Sequence, residues 1–141
     1  MTNIHFFKED IRFRLLNQQP LRNWIARVVR QHKFHLDEIN YIFCSDEYLL
    51  RLNIKFLNHH FYTDIITFDN SDESKKISGD IFISYDRVKA NAEKFNVSLK
   101  DELNRVMIHG VLHLLGYSDK TKKDQEAMRQ LENDFLGKRT F

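Results

Sequence analysis

The sequence contains only one cysteine and one proline among its 141 residues. Because Cys44 stands alone, the chain cannot form an internal disulfide or a zinc site made of cysteines, and we predict a small buried side chain in a strand. With no repeats or low-complexity tract, no linker is evident, so residues 1–141 are predicted to form a single domain. No apolar run approaches the ~18 residues of a membrane span, and nothing at the N-terminus resembles a signal peptide. We therefore expect a cytoplasmic protein.

A strong net charge is also lacking: the formal value is +2 at pH 7, which by itself does not indicate nucleic-acid binding. The basic residues are nevertheless unevenly distributed, because residues 1–36 hold seven Lys or Arg and only two acids. Two interpretations are open: a stripe that contacts phosphates, or the solvated face of an amphipathic helix, which charge alone favours. The cations concerned are Arg12, Arg14, Arg22, Arg27, Arg30 and Lys33.

Apolar periodicity predicts strands that are mostly separated by helices. Strands are expected where β-branched and aromatic residues cluster, and helices where apolar residues recur on one face behind a capping residue. This order predicts an α+β fold, a small mixed sheet of about four strands covered by about five helices. The polar segment 69–76 is the expected loop. The predicted strands are 3–7, 39–44, 64–68 and 81–84, and the predicted helices begin near residues 21, 46, 85, 98 and 122.

The stretch that carries chemistry is M-I-H-G-V-L-H-L-L-G-Y-S-D, residues 107–119. His109 and His113 are four residues apart, so a helix places both imidazoles on one face, at the spacing that binds one Zn²⁺ ion. Gly116 is suited to end this helix, after which the returning chain brings Asp119 towards the metal as a third ligand. Alternatively, both histidines are hydrogen-bonded in a core helix, and Asp119 caps the next helix. Unpaired imidazoles are costly in so apolar a helix, which favours the metal site.

The ligand spacing H-x-x-x-H-x-x-G-x-x-D matches that of metzincin peptidases, with aspartate in the third position. Those peptidases also require a glutamate directly after the first histidine, where it acts as the base. This chain has Gly110 at that position. The spacing of a zinc site is therefore present, whereas the base of the protease is absent.

The same stretch is similar to the H-G-x-L-H-L-x-G-Y-D-H signature of the YbeY-type endoribonucleases, which are bacterial rRNA maturation factors. The resemblance extends to L-N-x-x-F at 52–56, T-D-I-I-T-F at 63–68 and G-D-I at 79–81, in the family's order. It implies a fold of sheet and helices and metal-dependent cleavage of single-stranded RNA. The implied role is maturation of the small-subunit rRNA 3′ end and ribosome quality control.

The resemblance also implies one zinc ion per chain, bound by His109, His113 and the residue at position 119. The implied partners are precursor small-subunit rRNA and the ribosome or its proteins, without a membrane. Asp119 replaces the family's usual third histidine, but a carboxylate is also an accepted zinc ligand. The expected nucleophile is a zinc-bound water.

One further departure bears on chemistry. Leu57 replaces a family arginine that would hold a phosphate bidentately, which a leucine cannot do. Lys55, His59 and His60 lie close enough in sequence to take over phosphate contact or proton transfer, and they are the candidate catalytic side chains. The alternative for the two histidines is an exposed turn without a role.

Two carboxylates are candidates for a supporting role. Asp64 and Asp80 could each orient a ligand histidine through its second ring nitrogen, as outer carboxylates often do at zinc sites. Alternatively, they are turn or strand-end residues.

Three functions are consistent with these patterns. The leading expectation is an enzyme, a zinc-dependent hydrolase that cleaves RNA phosphodiester bonds. A zinc peptidase follows from the ligand spacing but is disfavoured by Gly110. A non-catalytic ribosome-assembly or RNA-binding factor with structural zinc is favoured by Leu57. A closed structural site needs four protein ligands and only three are evident, which favours the hydrolase.

Overall fold

The computed structural model of the chain describes residues 3–141 and contains four strands and five helices, as predicted. The strands form one mixed sheet, so the α+β prediction is confirmed. In chain order the elements are β1 (Ile4–Lys8), α1 (Gln18–Gln31), β2 (His35–Cys44), α2 (Asp46–Leu57), β3 (Ile65–Asp69), β4 (Lys76–Ser84), α3 (Tyr85–Lys94), α4 (Leu99–Leu114) and α5 (Lys122–Leu136).

The sheet has the strand order β1-β2-β4-β3. The first three strands in this order are parallel, whereas β3 runs antiparallel to β4, with Ile65 opposite Ile83. The two central strands begin earlier than the sequence predicts, because His35 of β2 pairs with Lys76 of β4. β3 and β4 form a hairpin joined by the loop 70–75, within the segment 69–76 that the sequence predicts as a loop. The start of the edge strand β3 therefore lies beside the end of β4.

α4 is the central helix of the larger core, in which α1, α3 and α5 also take part. It packs on β3 and β4, and most of its apolar side chains are fully buried. Buried Tyr41 of β2 donates its hydroxyl hydrogen to the Met107 carbonyl of α4 at 2.9 Å. α2 covers the opposite face of the sheet over a smaller cluster that includes Leu49 and Ile66. The partly exposed positions of α4 include His109 and His113.

Cys44 is completely buried at the end of β2, as predicted. Burial raises the pKa of its thiol to about 12, so the thiolate that would bind a metal or attack a substrate is scarce at neutral pH. The residue is therefore part of the small core under α2 and of no chemical site.

Side-chain caps begin four of the five helices within residues 3–141, whereas α1 begins at Gln18, ahead of the predicted start near residue 21, without a side-chain cap bond. Ser45, and not Asp46, caps α2, and Ser98 caps α4. Thr121 caps α5: its hydroxyl accepts a hydrogen bond at 3.0 Å from the backbone N–H three residues further on. The alternative in which Asp119 caps this helix is therefore wrong.

Candidate metal centre

Two histidines of α4 and one aspartate in the following turn converge on a single point. The Nε2 atoms of His109 and His113 are 3.0 Å apart, with their ring planes at 84°. The Asp119 Oδ2 atom lies 3.4 Å from His109 Nε2 and 3.3 Å from His113 Nε2. A tetrahedral ion at ~2.0–2.1 Å from each donor atom separates the donors by about 3.3 Å. The three atoms are therefore spaced to hold one metal ion.

The turn after α4 explains how Asp119 reaches this point. The Tyr117 N–H donates to the Leu112 carbonyl and the Gly116 N–H to the His113 carbonyl, both at 3.0 Å, which is the hydrogen-bond pattern of a Schellman motif. Gly116 has a φ of 104°, a backbone conformation that residues with a side chain rarely adopt. Glycine at this position therefore reverses the chain and returns the aspartate to the helix end, as the sequence predicts.

Each of the two clustered histidines is oriented through its Nδ1 atom. His113 Nδ1 lies 3.0 Å from the Tyr117 carbonyl oxygen, and His109 Nδ1 lies 2.6 Å from Glu132 Oε2. A carbonyl or a carboxylate oxygen can only accept here, so Nδ1 carries the proton in both rings. Both Nε2 lone pairs are therefore left to face the metal position.

Glu132 lies on α5 and is only 4% exposed. Its Oε1 atom accepts a hydrogen bond from Arg105 at 3.0 Å and lies 3.7 Å from Arg129. Burial alone would raise the pKa of Glu132, but the hydrogen bonds with His109 and Arg105 lower it. Burial likewise opposes protonation of His109, but Glu132 and then Asp119 raise the pKa of this imidazole. Glu132 is therefore an ionised carboxylate that polarises the His109 ring.

We expect Glu132→Gln to weaken the binding of added Zn²⁺ about 10–100-fold, the loss typical of an outer carboxylate that holds a ligand histidine. The amide keeps the size of the side chain but removes the charge that polarises His109. Competition against a chelator of known affinity measures the effect. Glu126→Gln, an exposed change on the same helix, is the matched control. Equal zinc affinity in the two variants would contradict the orienting role.

The sequence does not reveal Glu132, because this residue reaches His109 from 23 positions further along the chain. The available signal is an acidic residue on the apolar side of the final helix, between the buried side chains of Met128 and Phe135. A carboxylate on such a face needs a buried partner. Only the packing of α5 on α4 identifies which partner it has.

Asp80 does not orient a ligand histidine, which corrects the expectation from sequence. Its carboxylate accepts hydrogen bonds from the Asn40 side chain at 3.0 Å and from the Asn70 side chain at 3.2 Å. Side chains alternate along a strand, and the neighbours of Asp80, Gly79 and Ile81, face α4. Asp80 therefore points to the opposite face of the sheet.

Asp64 precedes β3 and lies where two cavities meet beside His109 and Asp119. One cavity, of about 320 Å³, extends towards α5 and Arg129, and the other, of about 390 Å³, extends towards the loop between α2 and β3. Burial raises the pKa of Asp64, although His109 opposes the shift. Glu132 and the Tyr117 carbonyl, rather than Asp64, hydrogen-bond the ligand rings. Asp64 is instead a partly buried carboxylate that lines both cavities beside His109 and Asp119.

The residues singled out around the α2–β3 loop divide into two groups. His59 and Leu57 line the 390 Å³ cavity together with the ligand histidines. Lys55 lies over the ring of the residue that follows it, with Nζ 5.2 Å from the ring centroid. His60 is exposed, with Nε2 3.4 Å from an oxygen of the Asn58 side chain. The structure thus places His59 in the cavity that contains His109 and His113, whereas Lys55 and His60 line neither cavity.

Gly110 marks a close approach of α4 to the sheet. A Cβ atom at this position would lie 3.0 Å from the Ile81 side chain and 3.1 Å from Ile65 Cδ1. The position directly after His109 therefore faces β3 and β4 and not the metal centre. A glutamate there would enter the core, which explains in physical terms why this helix lacks the peptidase base.

We expect Gly110→Val to lower the free energy of unfolding by about 1–3 kcal/mol, because the added methyl groups overpack the contact with Ile81 and Ile65. Chemical denaturation monitored by circular dichroism measures the change. Gly137→Ala is the matched control, since a Cβ there meets only ordinary contacts at 3.5 Å. A Gly110→Val variant as stable as the control would show that α4 can move away from the sheet at no cost.

Comparison with known proteins identifies the family that this chain matches. Residues 4–139 match the family model described as Endoribonuclease YbeY. Relatives with that name include a protein of Cytophaga hutchinsonii, 54% identical over 98% of this chain and 96% of the relative. A relative from Amoebophilus asiaticus is 46% identical over 96% and 92% of the two chains. One from Porphyromonas gingivalis is 44% identical over 96% and 89%.

A solved structure is similar as well. The solution structure of TM1509 from Thermotoga maritima superimposes with a TM-score of 0.66 at 26% sequence identity. The match covers 94% of this chain and 86% of that protein. The likeness therefore extends over nearly all of the sheet and its helices.

Proposed function

The chain belongs to the YbeY endoribonuclease family, and we propose that residues 1–141 form one zinc-dependent hydrolase domain that cleaves single-stranded RNA internally. The proposed role is maturation of the 3′ end of small-subunit rRNA and ribosome quality control in the cytoplasm. Its partners would be precursor rRNA and the ribosome or ribosomal proteins. Within residues 3–141, no helix is both long and apolar enough to cross a membrane.

The convergence of His109, His113 and Asp119 between two cavities is the observation that carries this proposal. Three protein ligands leave a fourth position, which is typical of catalytic rather than structural zinc sites. When bound, one zinc ion per chain supplies a Lewis acid that acidifies water and stabilises charge on a phosphoryl oxygen. The cavities on either side of the centre give space for the RNA on both sides of the bond to be cleaved.

Side chains around the centre would orient the histidines, transfer a proton and contact a phosphate. Glu132 and the Tyr117 carbonyl keep the two imidazoles in the tautomer that presents Nε2. Asp64 lies beside His109 and Asp119, where burial raises its pKa, so its carboxyl group would serve as the proton donor to the departing ribose oxygen. Arg129 lines the same cavity as Asp64 and has a half-exposed side chain, so it is placed to contact a phosphate. It would supply the cation that the family arginine, here Leu57, does not provide.

The alternatives differ in what they require of the site. A zinc peptidase needs a base after the first histidine, but Gly110 is packed against the sheet. A non-catalytic assembly factor, which Leu57 favours, would bind zinc and RNA without cleaving the RNA. Cleavage is therefore the property that separates the proposal from both alternatives.

A cleavage assay with three labelled substrates tests the proposed function. Zinc-loaded protein is expected to cut an unstructured RNA oligonucleotide, to leave the same sequence intact in a perfect duplex, and not to hydrolyse casein. Treatment with a chelator should abolish cleavage, and added Zn²⁺ should restore it. Zinc-dependent casein hydrolysis without RNA cleavage would support the peptidase. RNA binding without any cleavage would support the assembly factor.

A further inference from the structure

The loop that joins α2 to β3 exposes aromatic rings at the mouth of the metal centre. Phe61 is 57% exposed, and its ring stacks on that of His59 with centroids 5.1 Å apart and planes at 19°. Both residues line the cavity of about 390 Å³ that also contains His109 and His113. We call the stacked pair His59 and Phe61 the aromatic rim. Large exposed apolar side chains usually mark a binding surface when they cluster around a site.

The aromatic rim is held in place by buried and polar contacts. Asn53 is 1% exposed, and its side-chain nitrogen donates to the Phe61 carbonyl at 2.9 Å. The backbone carbonyl of Asn53 accepts from the His59 N–H at 3.1 Å. The next residue, Tyr62, donates its hydroxyl hydrogen to Glu47 at 2.5 Å. One buried residue therefore fixes both rim residues through their backbone, Phe61 by its side chain and His59 by its backbone carbonyl. Such preorganisation lowers the entropy lost when a ligand binds.

The chemistry of the rim identifies the ligand that it fits. Its surface consists of flat π faces, and the neighbouring Leu57, 44% exposed, adds an apolar contact instead of a phosphate-binding cation. Asp64, Asp119 and the ligand histidines lie in the same cavity, so a group seated on the rim is next to the reacting centre. Bases of single-stranded nucleic acids stack on exposed aromatic side chains because every base has a π face.

We propose that the aromatic rim stacks one unpaired nucleobase of the substrate and thereby places the adjacent phosphodiester at the metal centre. This inference rests on the proposed endoribonuclease function. A base inside a duplex is already stacked on both sides and cannot reach the rim without unpairing, so the rim discriminates against double-stranded RNA. Recognition of the base through its face also makes the contact tolerant of sequence.

The first test measures RNA affinity at one fixed salt concentration, using metal-stripped protein so that the oligonucleotide remains intact. Base stacking contributes about 1–3 kcal/mol per base, so Phe61→Ala is expected to bind an unstructured RNA about 5–150-fold more weakly, and Phe61→Trp to restore the affinity. The matched control is Phe7→Ala. Phe7 is 50% exposed, has its own histidine neighbour, His5, with ring centroids 6.3 Å apart, and lies on β1 at the opposite edge of the sheet.

The second test changes the RNA and leaves the protein intact. A single abasic site is moved along the oligonucleotide, and 2-aminopurine is placed at the position where base removal weakens binding most. The fluorescence of this base should be quenched by the wild-type protein and not by Phe61→Ala. Phe61→Ala should also bind the abasic RNA as well as the wild type does, since the contact is already missing.

The outcomes distinguish the rim from the proposed function. If the wild type cleaves RNA, but neither an abasic site nor Phe61→Ala changes affinity, the rim proposal is overturned and the endoribonuclease stands. If the wild type neither binds nor cleaves RNA, both fail. Displacement of the fluorescent RNA by an unrelated peptide at equal concentration would also overturn the rim as a base-stacking site.

Discussion

His113→Ala is expected to lose its zinc and its RNA cleavage while keeping its fold. The imidazole offers one of the three candidate donor atoms, with Nε2 3.0 Å from that of His109. Loss of an outer partner typically costs 10–100-fold in metal affinity, so loss of a direct ligand should cost more than about 100-fold. The side chain lies on the partly exposed face of α4, and alanine is favourable in a helix, so the fold should be kept.

Elemental analysis after gel filtration measures this prediction, with about one zinc per chain expected in the wild type. His35→Ala removes an exposed histidine at the start of β2 and should keep both zinc and activity. Circular dichroism checks that the His113→Ala variant is folded. A His113→Ala protein that retains full zinc and cleaves RNA would remove the centre from the proposed mechanism.

Asp119→Ala should also lose zinc and activity, and the structure provides a neighbouring variant that separates this effect from helix stability. The Asp119 Oδ2 atom lies within 3.4 Å of both ligand nitrogens, whereas the cap of α5 is Thr121. Thr121→Ala should therefore lower the free energy of unfolding by about 1 kcal/mol and keep its zinc. Asp119→Ala should have the opposite pattern. Its zinc affinity should fall by more than about 100-fold, whereas the stability of the metal-free protein should change little.

Asp119→His serves as the conservative replacement, because an imidazole nitrogen is an equally accepted zinc ligand. Retention of zinc in Asp119→His and its loss in Asp119→Ala would identify the side chain as a ligand. Metal content and thermal unfolding, measured on all three variants, give both readouts. Full zinc occupancy in Asp119→Ala would exclude the residue from the centre.

The cluster that could hold a metal can be predicted from sequence, because its three members are close together along the chain. His109, His113 and Asp119 come from one helix and the turn after it, so their sequence spacing largely determines their spatial spacing. Gly116 has the same local character, since a helix that stops and reverses at this position needs a left-handed residue. The element order could be predicted for a similar reason: caps and apolar periodicity are local signals.

The supporting residues could not be predicted, because they depend on packing between distant elements. Glu132 meets His109 only because α5 lies against α4. The opposite error at Asp80 arises from strand alternation: the sequence places this residue just before a predicted strand but does not say which face of the sheet its side chain takes. The pairing of β2 with β4 already begins at His35 and Lys76. β4 therefore extends to the edge of a segment whose polar composition indicates a loop.

The close contact at Gly110 also limits how this scaffold can diverge in evolution. In peptidases with similar ligand spacing this position carries the base, but here it is packed in the core. A single substitution therefore cannot introduce the peptidase base without loss of stability. New specificity has to arise where substitutions cost little, and the exposed loop 58–63 beside the centre is such a segment. Exchange of this loop between relatives is therefore the natural route to altered RNA preference on an unchanged metal-binding helix.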